Sequence, residues 1–278
     1  MTSPVLPLDI FENIVDILFN DAKNGLRYVK ALSLTCQSFL PSCRKHIFSS
    51  ITIRTDSTRP SMRYPYAEVS ENLLLETPVI AKYVRRLTIS ILQQPRSEYD
   101  YSFDQIARQL TRLQYLTISL SYQYQTPLND WNNIPSSMQR SLKNLMHLPT
   151  LIHLGLETII NFPISNLIAC ANLKNLSLQD LHITGKNDEA GSSLLHKPIQ
   201  LQSLDVQIRG SQVQALLAAR IPDGRPVLDL TDLEKISIDS YDNWSNVAVP
   251  TREIFQRVRR LIDISLEGKE VLNLRFTG

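Results

Sequence analysis

One short phrase returns along most of the chain: an apolar residue, two variable residues, an apolar residue, one variable residue and a further apolar residue. It begins with Val84, Leu87 and Ile89. It returns at Leu113, Leu116 and Ile118, at Leu151, Leu154 and Leu156, and at Leu173, Leu176 and Leu178. Three later copies are Leu201, Leu204 and Val206, then Leu233, Ile236 and Ile238, then Leu261, Ile264 and Leu266. The alternation within each copy is that of a strand with one buried face, and the first apolar residue is placed to pack beneath it. Between the copies lie apolar sets at helical spacing: Phe103, Ile106 and Leu110; Met138, Leu142 and Leu145; Ile164, Leu167 and Ala171; Val213, Leu216 and Leu217; and Ile254, Phe255, Val258 and Leu261. Each unit would run strand, turn, helix and return, because parallel strands need a crossover between them.

The first anchors of the seven copies stand 29, 38, 22, 28, 32 and 28 residues apart, mostly near the length of a leucine-rich repeat, with insertions in the longer intervals. One such phrase is weak evidence, since any α/β protein produces one. Seven copies at quasi-regular spacing predict an irregular leucine-rich-repeat solenoid with parallel strands on its concave side and helices outside. An ordinary layered α/β fold is the alternative. Segments 122–135 and 185–198 are polar and turn-rich, and read as inserted loops where order should be lowest.

In this register the variable strand residues face outward along the concave surface. Early copies place Arg86, Thr88 and Ser90 there, then Tyr115, Thr117 and Ser119. Later copies place Glu157, Gln179, Asp205, Gln207, Asp239, Asp263 and Glu267. The face therefore turns acidic toward the C-terminus, with Lys235 as the exception, and aligned carboxylates would attract a basic segment of a target protein. The inserted loops are the competing surface for such a target.

Upstream the pattern differs. A proline near the start of a helix precedes apolar residues at Ile10, Ile14, Ile17 and Leu18, the spacing of an amphipathic helix. Further apolar sets fall at Val29, Leu32, Leu34 and Phe39, then at Ile47, Phe48 and Ile51, in a segment too short to bury a good core alone. Such a piece calls for a partner. The proline- and serine-containing stretch 54–66 separates it from the repeats, so the predicted organisation is a helical module over 1–53, a linker over 54–66 and the repeat region over 67–278.

With 278 residues and 43% hydrophobic content the chain is predicted to fold, and a net charge of +2 supplies no general attraction to nucleic acid or to a membrane surface. Cys36, Cys43 and Cys170 make an odd count without metal-ligand spacing, which suits a reducing compartment. No signal sequence and no run of about 18 apolar residues is present, so the predicted location is cytoplasmic or nuclear. Signatures of catalysis are missing too: no glycine-rich phosphate loop, no Gly-x-Ser-x-Gly elbow and no His-Glu-x-x-His pair. His46, His147, His153, His182 and His196 are scattered, and each reads as a surface or partly buried histidine rather than a metal ligand. Cys36 and Cys170 read as packed thiols, and the arginines at 252, 257, 259 and 260 as the solvated face of a helix. The expectation is a non-catalytic interaction protein without metal or cofactor.

The N-terminal residues carry a resemblance. Leu6-Pro7-Leu8-Asp9-Ile10, then Leu32-Ser33-Leu34-Thr35-Cys36-Gln37-Ser38-Phe39, then Cys43-Arg44-Lys45-His46-Ile47-Phe48, together resemble an F-box. The phrase from Thr77 to Ile89 resembles the lead into the repeats of fungal-type F-box proteins. The resemblance implies a small helical module that docks on the adaptor Skp1, and through it on a cullin-RING ubiquitin ligase, while the repeats hold a target for degradation. By matching position, Leu6, Pro7, Leu8, Ile14, Leu32, Leu34, Cys36 and Phe39 would form or support the Skp1 face. Two departures stand out: the connection from Phe19 to Tyr28 is longer than in compact F-boxes, and Phe39 stands where a tryptophan is frequent. Two other readings compete with it: an N-terminal cap on the repeats, and a repeat-based scaffold with no link to ubiquitin.

Overall fold

The computed structural model describes residues 7–21, 23–54, 67–68, 71–91, 97–120, 129–184, 197–207, 210–221, 223–239, 258 and 263–267. The chain opens with three helices, α1 (Leu8–Phe19), α2 (Gly25–Ser33) and α3 (Leu40–Ile47), with a 3-10 turn at Gln37–Phe39 before the last. Their common core is small: Val15, Val29 and Cys43 are fully buried, and Leu18, Phe19, Leu32, Phe39 and Ile47 pack partly buried around them. Phe11 meets Phe39 edge-on at 4.7 Å, and a 2.7 Å contact between His46 Nε2 and Asp16 Oδ1 ties α3 to α1.

The connection between α1 and α2 is shorter than expected, because α2 already begins at Gly25. Asp21 Oδ1 accepts the backbone N–H groups of Lys23 and Asn24 and closes a tight turn. The chain then passes so close to α1 that a Cβ at position 25 would lie 2.1 Å from the Phe19 carbonyl oxygen, so only glycine fits.

From α3 the chain runs straight into strand β1 (Ser50–Arg54) and an α/β region. In order follow β2 (Ala67–Glu68), α4 (Glu71–Glu76), a 3-10 turn at Pro78–Tyr83, β3 (Arg86–Ile91), α5 (Ser97–Gln109), β4 (Tyr115–Leu120) and α6 (Ser136–Met146). Next come β5 (His153–Glu157), β6 (Phe162–Pro163), α7 (Ser165–Ile168), β7 (Asn175–Gln179), β8 (Ile183–Thr184), β9 (Ile199–Gln200) and β10 (Ser203–Gln207). The last are α8 (Gly210–Ala218), β11 (Leu228–Asp229), β12 (Lys235–Asp239) and β13 (Asp263–Glu267). Among the described residues nine strands form one parallel sheet in the order β13-β12-β10-β7-β5-β4-β3-β1-β2, so apart from the short edge strand β2 each strand lies beside its predecessor in that sheet. The other two-residue strands pair separately, β6 with β8 and β9 with β11.

The repeated phrase is the sheet's register. Leu87, Leu116, Leu154, Leu176, Leu204, Ile236 and Ile264 stand side by side across seven neighbouring strands, and Ile89, Ile118, Leu156, Leu178, Val206, Ile238 and Leu266 do so two residues on. From β3 to β12 both apolar ladders are buried, as are the first anchors Val84, Leu113, Leu151, Leu173, Leu201 and Leu233. Phe103, Ile106, Leu110, Met138, Leu142, Leu145, Val213, Leu216 and Leu217 join the same core. A strand with alternating burial has only one face to offer helices, and its other face must remain polar.

Several expectations need correction. The strand Ser50–Arg54 pairs in register with β3, and Ile51 and Ile53 lie in the sheet's core rather than with the helices, so a module boundary at 53 cuts through a strand. Phe48, Ile51 and Ile53 are in fact an eighth copy of the phrase, obscured by their nearness to the helical segment. The linker expected over 54–66 falls mostly on residues 55–66, outside the described residues; Arg54 itself ends β1. Helix α7 is a single turn, and Ala171 lies beyond it, exposed. The segment 122–135 is not loop throughout: Trp131 is 1% exposed and packs edge-on against Phe162 at 5.1 Å. Asp130 braces it, accepting the Asn132 N–H and the Asn161 side-chain amide. Residues 121–128 and 185–196, the predicted last helix apart from Val258, and the arginines at 252, 257, 259 and 260 lie outside the described residues.

Candidate functional site

Two surfaces stand out, one on each part of the chain. On α1 the apolar residues divide between two faces. Phe11, Val15, Leu18 and Phe19 turn toward α2 and α3, whereas Ile10, Ile14 and Ile17 are 38%, 36% and 72% exposed. Their spacing of four and three residues sets those isoleucines in one outward stripe. Leu34, past the end of α2, is 88% exposed, and Pro7 and Cys36 are exposed as well.

Of the residues predicted to meet a partner, Pro7, Ile14, Leu34 and Cys36 therefore face out, while Leu32 and Phe39 are half-buried in the module's own core and support the face from behind. Leu6 lies outside the described residues, and Leu8 opens α1. Ile10 and Ile17, which are not among the residues predicted to meet a partner, share the outward stripe with Ile14. Their periodicity was legible, but a stripe at helical spacing does not declare whether it faces inward or outward. Cys36 is not a packed thiol: it is exposed, and the backbone N–H of Ser38, with lesser help from the Ser38 hydroxyl, holds its pKa below the usual value. Cys170 is packed as expected, and burial pushes its thiol up to about 12.

The second surface is the polar face of the sheet. Register arranges it in three rows that cross the strands. The row at the strands' N-terminal ends reads Arg86, Tyr115, His153, Asn175, Ser203, Lys235. The middle row reads Thr88, Thr117, Gly155, Ser177, Asp205, Ser237. The row at the C-terminal ends reads Ser90, Ser119, Glu157, Gln179, Gln207, Asp239. The register continues to Asp263, Ser265 and Glu267 on β13. The predicted target-facing residues from β3 to β12 thus have their place on this one face, although they fall in different rows.

Neighbours within a row touch. The Arg86 guanidinium sits 4.7 Å from the centre of the Tyr115 ring, and that ring lies 5.6 Å from the His153 imidazole, making a cation and two rings in a line across three strands. His153 and Asn175 are outside the predicted set, although they hold the same position in their copies of the phrase as Tyr115 does in its own. Burial lowers the pKa of His153, the Arg86 charge lowers it further, and Asp205 opposes both. Burial raises the pKa of Glu157, against the hydrogen bond it accepts from Ser119. Gly155 has a packing reason: a Cβ there would meet the Thr117 hydroxyl at 3.1 Å.

Ser177, His153 and Asp205 gather on adjacent strands, yet the Ser177 hydroxyl donates to Asp205 at 3.2 Å and no hydrogen bond joins it to the imidazole among the described residues. The residue types of a nucleophilic relay are present without its connections. No group of three side chains suited to holding a metal occurs among the described residues, nor any helix long and apolar enough to cross a membrane. No family model matches the chain, and no curated protein sequence matches it.

Proposed function

We propose that the chain is the substrate-recognition subunit of a Skp1-cullin-F-box ubiquitin ligase, binding Skp1 through its helical module and a target protein through the repeats. In this reading the sheet and its crossover segments form an irregular leucine-rich-repeat arc whose polar face is concave. The observation that carries the proposal is the outward stripe of Ile10, Ile14 and Ile17 with Leu34 nearby, on a module in which Val15, Val29 and Cys43 are the fully buried core among the described residues. Large apolar side chains left on a small module mark a surface that a partner covers. The same exposure weighs against a simple cap, since cap residues would pack on the sheet's core, and none of the exposed four does.

Co-purification is the test. The wild-type chain should capture Skp1 with its cullin, and Ile14→Asp with Ile17→Asp should abolish capture. Ile17 is 72% exposed, so Ile17→Asp alone should weaken capture while the melting temperature hardly moves. A well-folded wild-type chain that fails to bring down Skp1 would leave a repeat-based scaffold as the reading.

A further inference from the structure

Residues 22–55, 77–97 and 105–129 contain no Asp or Glu, and the pairing of β1 with β3 and of β3 with β4 brings parts of these three stretches side by side. Where the strands begin, they carry Arg85, Arg86 and Arg112. The Ser49 carbonyl accepts the N–H groups of Arg85 and Arg86, and the Arg85 carbonyl those of Gln114 and Tyr115, so each strand start is pinned to the one before it. Both guanidinium groups of the Arg85-Arg86 pair reach toward the start of β4: that of Arg85 donates to the Arg112 carbonyl at 3.2 Å, and that of Arg86 is held over the Tyr115 ring. Arg86 and Arg112 are exposed, Arg85 is half-buried, and among the described residues no carboxylate pairs with any of the three. On neighbouring segments Asp16 is held by His46 and Asp104 by Arg108, while Glu76 ends α4 ahead of the turn that carries exposed Lys82. The carboxylate that register places nearest to Arg86 on the polar face is Glu68, level with Thr52, two strands and two residues away, about 12 Å. Cations gathered without a counter-charge raise each other's potential and favour an anion among them.

We propose that this arginine cluster seats an acidic segment of the target protein, whose carboxylates bind Arg86 and Arg112 with the Tyr115 and His153 rings beside them. The proposal rests on the receptor reading and adds the chemistry of the target segment and the place where it meets the polar face. A guanidinium suits a carboxylate because it donates two parallel N–H bonds, and the Tyr115 ring already steadies Arg86, so less side-chain freedom is lost on binding. Alternate side chains of an extended segment stand about 6.6 Å apart on one side, so two acidic residues with one residue between them present both carboxylates to this area. The next strand start, residues 150–153, adds no lysine or arginine. The cluster therefore suits a few carboxylates rather than the long phosphate track of a nucleic acid.

The test measures binding of fluorescein-labelled octaglutamate to the full chain by fluorescence anisotropy at low salt. Arg86→Gln with Arg112→Gln should weaken binding about tenfold, since two charge-assisted contacts are lost. Both side chains are exposed, so the melting temperature should stay near the wild-type value. Arg27→Gln with Lys30→Gln removes the same charge from exposed positions on α2 and should weaken binding less than about twofold, the effect of net charge alone. A second readout needs no variant at the cluster: at pH 7 the ring-proton signals of His153, assigned with His153→Gln, should shift on adding octaglutamate, and those of exposed His182 should not. Equal losses from the two pairs, an unmoved His153 signal, or tighter binding of a labelled octathymidylate than of octaglutamate would each overturn the proposal. Skp1 capture by the Arg86→Gln, Arg112→Gln protein should match wild type. Failure of the wild-type chain to capture Skp1 would instead sink the receptor reading, and the anisotropy and His153 results would still decide the anion site.

Discussion

Leu176→Asp is the sharpest test of the register. Leu176 is 1% exposed and stands between Leu154 and Leu204 on the flanking strands, in the middle of the apolar ladder. An aspartate there has no cation to pair with, so it must be protonated or drag water into the core. Holding the carboxyl protonated near pH 7 against an ordinary pKa of about 3.9 costs about 4 kcal/mol, at about 1.4 kcal/mol per pH unit. Losing the buried leucine adds about 2 kcal/mol. The sum, about 6 kcal/mol, is comparable to the whole stability of about 5–15 kcal/mol of an ordinary domain. Urea titrations followed by far-ultraviolet circular dichroism, at pH 7 and pH 4, should show the sheet region largely unfolded at the higher pH. The deficit relative to wild type should shrink at the lower one, where most of the ionisation cost is gone. Leu176→Asn should show no such recovery. A Leu176→Asp protein that melts cooperatively near the wild-type midpoint at pH 7 would put the side chain at the surface and refute the register.

Other consequences are simpler to check. Because His153 titrates below its usual value in the fold, the stability it contributes is present above its unfolded value of about 6.5 and is lost as pH falls through it toward the lowered one. His153→Gln should therefore flatten the acid-side fall of the denaturation midpoint. Glu157→Gln should steepen it, since a carboxyl with raised pKa gains stability as it takes up a proton. With Ellman's reagent, Cys36 in the native protein should react fast, while buried Cys43 and Cys170 wait for unfolding; equal rates would contradict their burial. Trp131→Ala should cost about 3–5 kcal/mol by urea titration, and a loss below about 1 kcal/mol would place the indole outside the core.

Much of the fold is legible in the amino-acid order, because the alternation in Leu-x-x-Leu-x-Leu depends only on which side of a strand each residue occupies. Leu173, Leu176 and Leu178 needed no knowledge of their neighbours to be placed in the core, and the polar positions between them followed. The tertiary structure decided what depends on contacts between distant residues. Phe48, Ile51 and Ile53 could be helical-module or sheet residues until β1 paired with β3. Trp131 sits in a polar stretch whose partner, Phe162, is supplied by a later unit. The isoleucine stripe of α1 turned outward because Val15 and Phe11 took the inward face against α2 and α3, a choice that helical periodicity leaves open.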